Sequence, residues 1–456
     1  MIIDVDLDLV RKYDRPGPRY TSYPTAPHFS DAFDEAEWEG HLTEANRTPD
    51  RPLSLYFHIP FCDTLCWFCG CNMLVSRRRE PIDEYVGYLY REMDLYARRL
   101  HPEREVVQVH FGGGTPTHLT PAQIREVGRR IRDTFRVAAD AEISVEMDPR
   151  GLTEGHVAAL RDAGFNRASL GVQDFDPRVQ RAINRVHDEQ LVGQVVRWVK
   201  EAGFQSLNLD LIYGLPHQSV ASFADTIEKV LAFEPNRLAV FSYAHVPWMK
   251  AHMKLIQTED LPAPEEKLGM LKLMIETLGA RGYEYIGMDH FARQDDELTR
   301  SQREGTLQRN FQGYSTRAGT DIQAFGMSSI SQLPRAYAQH VKDLPRYYAA
   351  VDAGRFPLER GVTLTDDDVE RRTVIMRLMC DMGLAYDRLS RELGCDFAAR
   401  YATEIDSLDE FEDDGLIRRL DDRLDVTPMG RLFIRNLAMT FDARLAHDHA
   451  RYSRTV

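Results

Sequence analysis

The chain has 456 residues, 57 Lys+Arg against 71 Asp+Glu, a net charge of −14 and 43% hydrophobic residues. This is globular composition, which excludes wholesale disorder, and the acidic balance denies the chain a general attraction to phosphate backbones or anionic bilayers. No apolar run approaches the roughly 18 residues of a spanning helix, and the acid-bearing start MIIDVDLDLVRKYDRPG does not read as a signal peptide, so a cytoplasmic protein is expected.

At roughly 150 residues per domain the length allows about three units, or one large α/β domain with appendages. Residues 1–50 contain DRPGPRYTSYPTAPHF, a Pro, Gly and Tyr-rich stretch too apolar for a free tail, which predicts an extended segment packed on the core. From residue 51 to 245, short β-branched or alternating runs alternate with helical stretches. The runs are LSLYFHIP at 53–60, VVQVHFGG at 106–113, EISVEMDP at 142–149, RASLGVQD at 167–174, SLNLDLIYG at 206–214 and RLAVFSYA at 237–244. Thr120, Pro121 and Gln123 read as N-cap, first-turn proline and capping-box partner, ahead of Ile124, Val127, Ile131 and Phe135 on one helix face. Asp176 and Pro177 repeat the device, and Gly164 and Gly203 read as helix C-terminal glycines. Six βα units follow, and with them a largely parallel sheet. It either closes partly into a barrel or lies open and doubly wound; in both cases ligands bind at the C-terminal ends of the strands.

Residues 246–360 begin with a helical region and contain FARQDDELTRSQREGTLQRNFQGYSTRAGTD, a polar, turn-rich stretch expected to be irregular and therefore to serve function. Residues 361–456 carry RRTVIMRLMC, a segment around Leu416 to Arg419, and RLDVTPMGRLFIRNLAMTFD. That pattern suits a small helical, winged-helix-like domain. Its charges are mixed and form no basic stripe, so no nucleic-acid partner is expected.

Cys62, Cys66, Cys69 and Cys71 fall in CDTLCWFCGC, just after the first strand, whereas Cys380 and Cys395 stand alone and read as small, unreactive thiols. In a reducing compartment such a cluster points to a metal or redox site. The C-x3-C-x2-C spacing of Cys62, Cys66 and Cys69 can hold three irons of a 4Fe-4S cluster and leave the fourth open; a zinc knuckle lacks a second ligand pair here. Cys71 reads as a neighbour rather than a ligand, the alternative being a closed four-thiolate cluster. His58 suits either proton handling or a satisfied core position. Gly112, Gly113 and Gly114 end the second strand, where missing side chains would let backbone approach a ligand. Glu146, Gln173 and Asp210 lie near the C-terminal ends of strands three to five, suited to ammonium and hydroxyl groups.

The three-cysteine loop followed by GGGTP resembles the radical S-adenosylmethionine (SAM) superfamily. Within it, YTSYPT, HIPFC, CDTLCWFCGC, HFGGGTPT, EISVEMDPR, GVQDF, LDLIYGLP, GMDHFA and NFQGY together resemble the oxygen-independent coproporphyrinogen III oxidase family, over about residues 13–454. The resemblance implies a partial (β/α)6 TIM-like barrel with a smaller, mostly helical C-terminal domain. It implies a 4Fe-4S cluster on Cys62, Cys66 and Cys69 and two SAM molecules, one near Tyr56, Gly113 and Glu146, the other near Phe68, Gly114, Thr115, Gln173, Arg185, Asp210, Ala244 and Ile330. Read without the family, Arg185 would be a solvated arginine beside Arg178 and Arg181. The implied reaction turns two propionates of coproporphyrinogen III into vinyl groups through a 5'-deoxyadenosyl radical, with a one-electron reductant such as flavodoxin or ferredoxin and an unidentified electron acceptor, in a monomer. Arg19, Arg303 and Arg309 are candidates to hold unreacted propionates. Gln294 replaces the family's proline, and GMSSIS around Ile330 is slightly altered. Haem-delivery relatives lack the PRYTSYPT segment and the counterpart of Cys71, and both are present here.

Overall fold

Each of the six runs forms a strand: β1 (Leu53–Ile59), β2 (Glu105–Gly113), β3 (Arg136–Met147), β4 (Arg167–Gln173), β5 (Ser206–Tyr213) and β6 (Arg237–Ser242). The structure, a computed structural model, describes residues 3–445 and 452–455. β1 to β6 lie side by side in chain order and all parallel, because helices return the chain between them: α1 (Glu80–Ala97), α2 (Pro121–Thr134), α3 (Glu154–Asp162), α4 (Glu189–Glu201) and α5 (Val220–Leu231). At the head of α2 the Thr120 hydroxyl accepts from the Gln123 N–H and the Gln123 side chain accepts from the Thr120 N–H. Ile124, Val127 and Ile131 are buried on the inner face. Gly164 and Gly203, after α3 and α4, take φ of +91° and +76°, the left-handed turn that glycine adopts most readily.

The sheet continues past the six units. Beyond β6 come antiparallel β7 (Tyr283–Gly287) and β8 (His290–Arg293), reached through α6 (Pro264–Ala280). On the other side β9 (Asp321–Phe325) pairs in parallel with β1, and β10 (Ile330–Leu333), β11 (Ala336–His340) and β12 (Leu358–Thr363) follow antiparallel. The order is β12-β11-β10-β9-β1-β2-β3-β4-β5-β6-β8-β7, so the parallel strands form a partial barrel with open edges. The stretch 291–321, expected to be irregular, is instead ordered. It holds the end of β8, a helix Glu297–Arg303, the hairpin Gln308–Asn310 with Gly313–Ser315, and the first residue of β9. Its polarity misled because β9 buries polar side chains with their partners: Asp321 accepts from Arg51 at 2.6 Å and from Arg104 at 2.5 Å.

Residues 1–50 are not extended throughout. Helices Leu7–Tyr13 and Glu35–Ala45 flank an irregular stretch in which Tyr20 and Tyr23 are buried. Buried Arg435 donates to the Pro18 carbonyl at 2.9 Å and to the Gly17 carbonyl, tying this stretch to the C-terminal part. There α7 (Asp366–Asp381) and shorter helices carry a three-stranded wing of Gly383–Ala385, Ile417–Arg419 and Arg423–Val426. Among the described residues no helix is long and apolar enough to cross a membrane.

Candidate active site

The end of β1 leads directly into the cysteine loop, and the loop closes on itself: Phe61–Cys62 pairs with Leu74–Val75. The glycine run of β2 anchors its root. Gly114 donates to the Ile59 carbonyl at 2.8 Å, Thr115 donates to the Phe61 carbonyl at 2.9 Å, and the Thr115 hydroxyl donates to Cys62 Sγ at 3.3 Å. A Cβ at Gly113 would stand 2.6 Å from the His58 ring, at a φ of +115°, and one at Gly114 would stand 2.6 Å from the Pro60 carbonyl oxygen. The chain's own close approach therefore demands these glycines, ahead of any ligand. Gly113→Ala is expected to destabilise the protein by more than about 1 kcal/mol, read as a lower urea midpoint; an unchanged midpoint would contradict this packing.

A cavity of about 450 Å³ opens against this loop. Cys62, Cys66, Cys69 and Cys71 line it together with Phe68, Gly113, Gly114, Thr115, Glu146, Gln173, Arg185 and Asp210. Tyr56, Ala244 and Ile330 lie outside that lining. Tyr56 stacks on His110, a lining residue, with centroids 5.9 Å apart. Ala244 is exposed just past β6, and Ile330 packs against the cluster of Phe29, Tyr337 and Leu364.

Two carboxyl groups face the cavity in unlike states. Burial opposes the charge of Glu146, but His110, 3.5 Å away, and the Gly113 N–H at 3.1 Å outweigh it and hold this carboxyl below its ordinary range. Asp210 is pushed up to about 7 by burial and by the charge of Glu146, despite hydrogen bonds from Ser169 at 3.1 Å and Asn208 at 2.6 Å. A cationic ligand group placed between them would find one fixed negative charge and a second available on deprotonation.

Arg185 is buried, contrary to its solvated reading. It donates to the Gly171 carbonyl at 2.6 Å and to Asp148 at 2.8 Å, and a Cβ at Gly171 would meet its guanidinium at 2.9 Å. Asp148 also accepts from Arg150 at 2.7 Å. Arg150 and Arg185 in turn reach Cys66 Sγ at 3.2 and 3.5 Å. One carboxylate between two guanidiniums leaves a surplus positive charge beside this sulfur, which complements a ligand that binds metal as thiolate. Asp148 and Arg150 stand inside MDPR but were not singled out there. The available signal was polar residues at alternate positions of otherwise apolar strands: His110 on β2, Ser144 and Glu146 on β3, Ser169 on β4, Asn208 and Asp210 on β5, all facing the cavity.

The Cys71 backbone N–H reaches Cys69 Sγ at 3.4 Å, and hydrogen bonding from Cys71 lowers the Cys69 thiol while raising the Cys71 thiol. His58 proves to be a held core residue: one ring nitrogen bonds the Tyr56 hydroxyl at 3.1 Å, the other the Asn72 carbonyl at 2.9 Å. Among the described residues no three His, Cys, Asp or Glu side chains converge as a single metal ion requires. Three thiols on one loop, beside two arginines and the half-buried rings of Trp67 and Phe68, suit instead a cluster whose irons each take one thiolate.

The parallel half-barrel with three cysteines after its first strand defines a radical SAM enzyme, and the profile of the Radical SAM superfamily matches residues 56–230, that of the HemN C-terminal domain residues 364–433. Proteins named oxygen-independent coproporphyrinogen III oxidase are similar over nearly the whole chain. That of Escherichia coli (strain K12) is 47% identical over 443 residues, covering 97% of this chain and 96% of the relative; that of Helicobacter pylori (strain J99) is 41% identical over 454 residues, covering 99% of each. The solved structure of the Escherichia coli coproporphyrinogen III oxidase, described as a radical SAM enzyme, superposes with a TM-score of 0.92 at 45% identity, covering 97% of this chain and 100% of that one. The chain belongs to the oxygen-independent coproporphyrinogen III oxidase family.

Proposed function

We propose that this chain converts two propionate side chains of coproporphyrinogen III to vinyl groups by oxidative decarboxylation, giving protoporphyrinogen IX, as a cytoplasmic monomer supplied with electrons by a small carrier such as flavodoxin or ferredoxin. The observation that carries the reading is one cavity wall shared by the cysteine thiols and by Glu146, Gln173, Arg185 and Asp210. Cys62, Cys66 and Cys69 would hold a 4Fe-4S cluster, which supplies the one-electron cleavage of SAM and hence the radical that attacks the propionate. The chain's own residues bind and orient. Glu146 suits the SAM molecule at the cluster, Gln173, Arg185 and Asp210 suit a second SAM molecule, and Phe68 with Trp67 shields the loop from water. Equilibrium dialysis of the cluster-reconstituted protein should give two SAM per chain; a stoichiometry of one would remove the second molecule from this reading.

Of the three candidate propionate holders, the surroundings favour Arg309. Arg303 is exposed and pairs with Glu284, and Arg19 pairs with Asp289. Arg309 is buried and has no carboxylate partner among the described residues; it donates through Nε to the Arg19 carbonyl at 3.3 Å while its Nη1 has no partner. A buried guanidinium without a counter-ion calls for an anion. Arg309 stands on the hairpin whose other strand brings Tyr314 and Ser315 to the cavity. Arg309→Met is expected to raise KM for coproporphyrinogen III about tenfold or more, as loss of a charge-assisted hydrogen bond does, with kcat little changed. An unchanged KM would assign the arginine to the N-terminal segment alone.

A further inference from the structure

Among the described residues a second cavity, of about 350 Å³, shares no lining residue with the cavity of the cysteine loop. Its walls are one side of α7, the entering strand of the Gln308–Asn310 hairpin, the turn between β10 and β11, and Thr21 and Ser22 of the N-terminal segment. Arg372, Thr373, Met376 and Arg377 supply the α7 wall, a spacing that keeps them on one side of the helix. Arg377 fixes that wall to the approach of the hairpin, donating to the Gly305 carbonyl at 2.8 Å and to the Leu307 carbonyl at 3.2 Å. The hairpin is the partition between the two cavities. Arg309 lines the second, and its guanidinium stands 4.8 Å from the centroid of the Tyr314 ring, which lines the first.

Five arginines line the second cavity against one acid, Glu392, among the described residues. Three of the five are answered: Arg51 pairs with Asp321 at 2.6 Å, Arg388 with Glu392 at 2.8 Å and Arg377 with Asp381 at 3.2 Å. The acids of α7 are engaged elsewhere, Asp366 by Arg335, Asp367 and Glu370 by Arg400, and Asp368 by Arg444. Glu304, which forms no ion pair among the described residues, is exposed and outside the lining. Arg309 and Arg372 are left over. Arg309 is 4% exposed and Arg372 half-buried; they donate to the carbonyls of Arg19 at 3.3 Å and Pro334 at 2.7 Å, and each keeps an enclosed Nη1 without a partner. Two guanidiniums withdrawn from water without a counter-ion are costly unless an anion joins them.

We propose that this cavity binds a dicarboxylate, with one acid group on Arg309 and the other on Arg372. A planar guanidinium takes a carboxylate through paired N–H groups, and two guanidiniums on separate elements match two linked carboxylates better than one compact ion. The cavity volume falls in the range of roughly 300–1,000 Å³ typical of small-molecule sites. Such a ligand has two sources: a free dicarboxylate, or the two propionates of coproporphyrinogen III that do not react. The second source rests on the proposed reaction, and the first does not.

The test uses the cluster-reconstituted chain, succinate as the free dicarboxylate, and two variants. Arg372→Gln removes the charge but keeps an amide donor for the Pro334 carbonyl; Thr373→Glu places a carboxylate of the chain's own in the cavity. Succinate binding is titrated by calorimetry, and KM and kcat for coproporphyrinogen III are measured with dithionite as reductant, with and without succinate. A site for a free dicarboxylate predicts succinate binding by the wild type that is weakened about tenfold or more in both variants, with KM unchanged. A site for the unreacted propionates predicts KM raised about tenfold or more in both variants, kcat within about twofold of wild type, and succinate competing with the substrate. Variants that match the wild type in both measurements would overturn the proposal, whether or not the wild type takes up succinate. So would a fall in kcat alone, which would make the α7 wall a structural support. Absence of any turnover by the wild type would instead refute the proposed reaction, and the succinate titration would still decide the cavity.

Discussion

Replacing Asp148 with alanine is expected to lower stability by about 3–5 kcal/mol, the cost of removing one partner from a buried ion pair. Its side chain is 12% exposed and lies between Arg150 at 2.7 Å and Arg185 at 2.8 Å, so the variant leaves two enclosed guanidiniums facing each other. Burial raises the carboxyl's pKa, but the charge of Arg185 and the bonds from Arg150 outweigh it and hold the folded-state value below the ordinary one. The sign of the pH dependence follows. The ionised group stabilises the fold above its unfolded pKa of about 3.9, and this contribution fades as pH falls through the lower folded-state value. Urea unfolding of wild type and variant should thus differ most near neutrality and converge in acid. A difference under about 1 kcal/mol at pH 7 would mean the triad is solvated and does not support Cys66.

The second large effect separates two cysteines. Cys66→Ser should abolish the cluster's visible absorbance and all SAM cleavage, because a serine hydroxyl is a poor substitute for a thiolate among three ligands. Cys71→Ser should keep the cluster and keep cleavage on the reading of Cys71 as a neighbour rather than a ligand; the bond to Cys69 Sγ comes from its backbone N–H, which serine retains. The check is iron and sulfide content after reconstitution alongside methionine release. Loss of the cluster in Cys71→Ser would make Cys71 a ligand and close the fourth iron.

What the sequence disclosed and what it hid have physical causes. The six parallel strands were legible because each is a short run of β-branched or alternating apolar residues, separated from the next by a helix with a capping device such as Thr120 with Gln123 or a C-terminal glycine such as Gly164. β9 was not, because DIQAF is short and carries Asp321 and Gln323; Asp321 is buried against Arg51 and Arg104 far along the chain, and Gln323 against Ser331 on the next strand. The same limit applied in the site. The cysteine spacing is local and was read directly, whereas the burial of Arg185 depends on Asp148 and on the room left by Gly171. Pairing in space also bears on His58, whose second ring nitrogen bonds the carbonyl of Asn72, 14 residues on and off the strand.

The most direct test of the central claim is an anaerobic incubation of the cluster-reconstituted chain with dithionite, SAM and coproporphyrinogen III, with porphyrin products followed by mass. Loss of both reacting carboxyl groups, with 5'-deoxyadenosine and methionine formed alongside, is the predicted result. Coproporphyrinogen recovered intact while SAM is cleaved would contradict it, leaving a radical SAM enzyme that acts on another substrate.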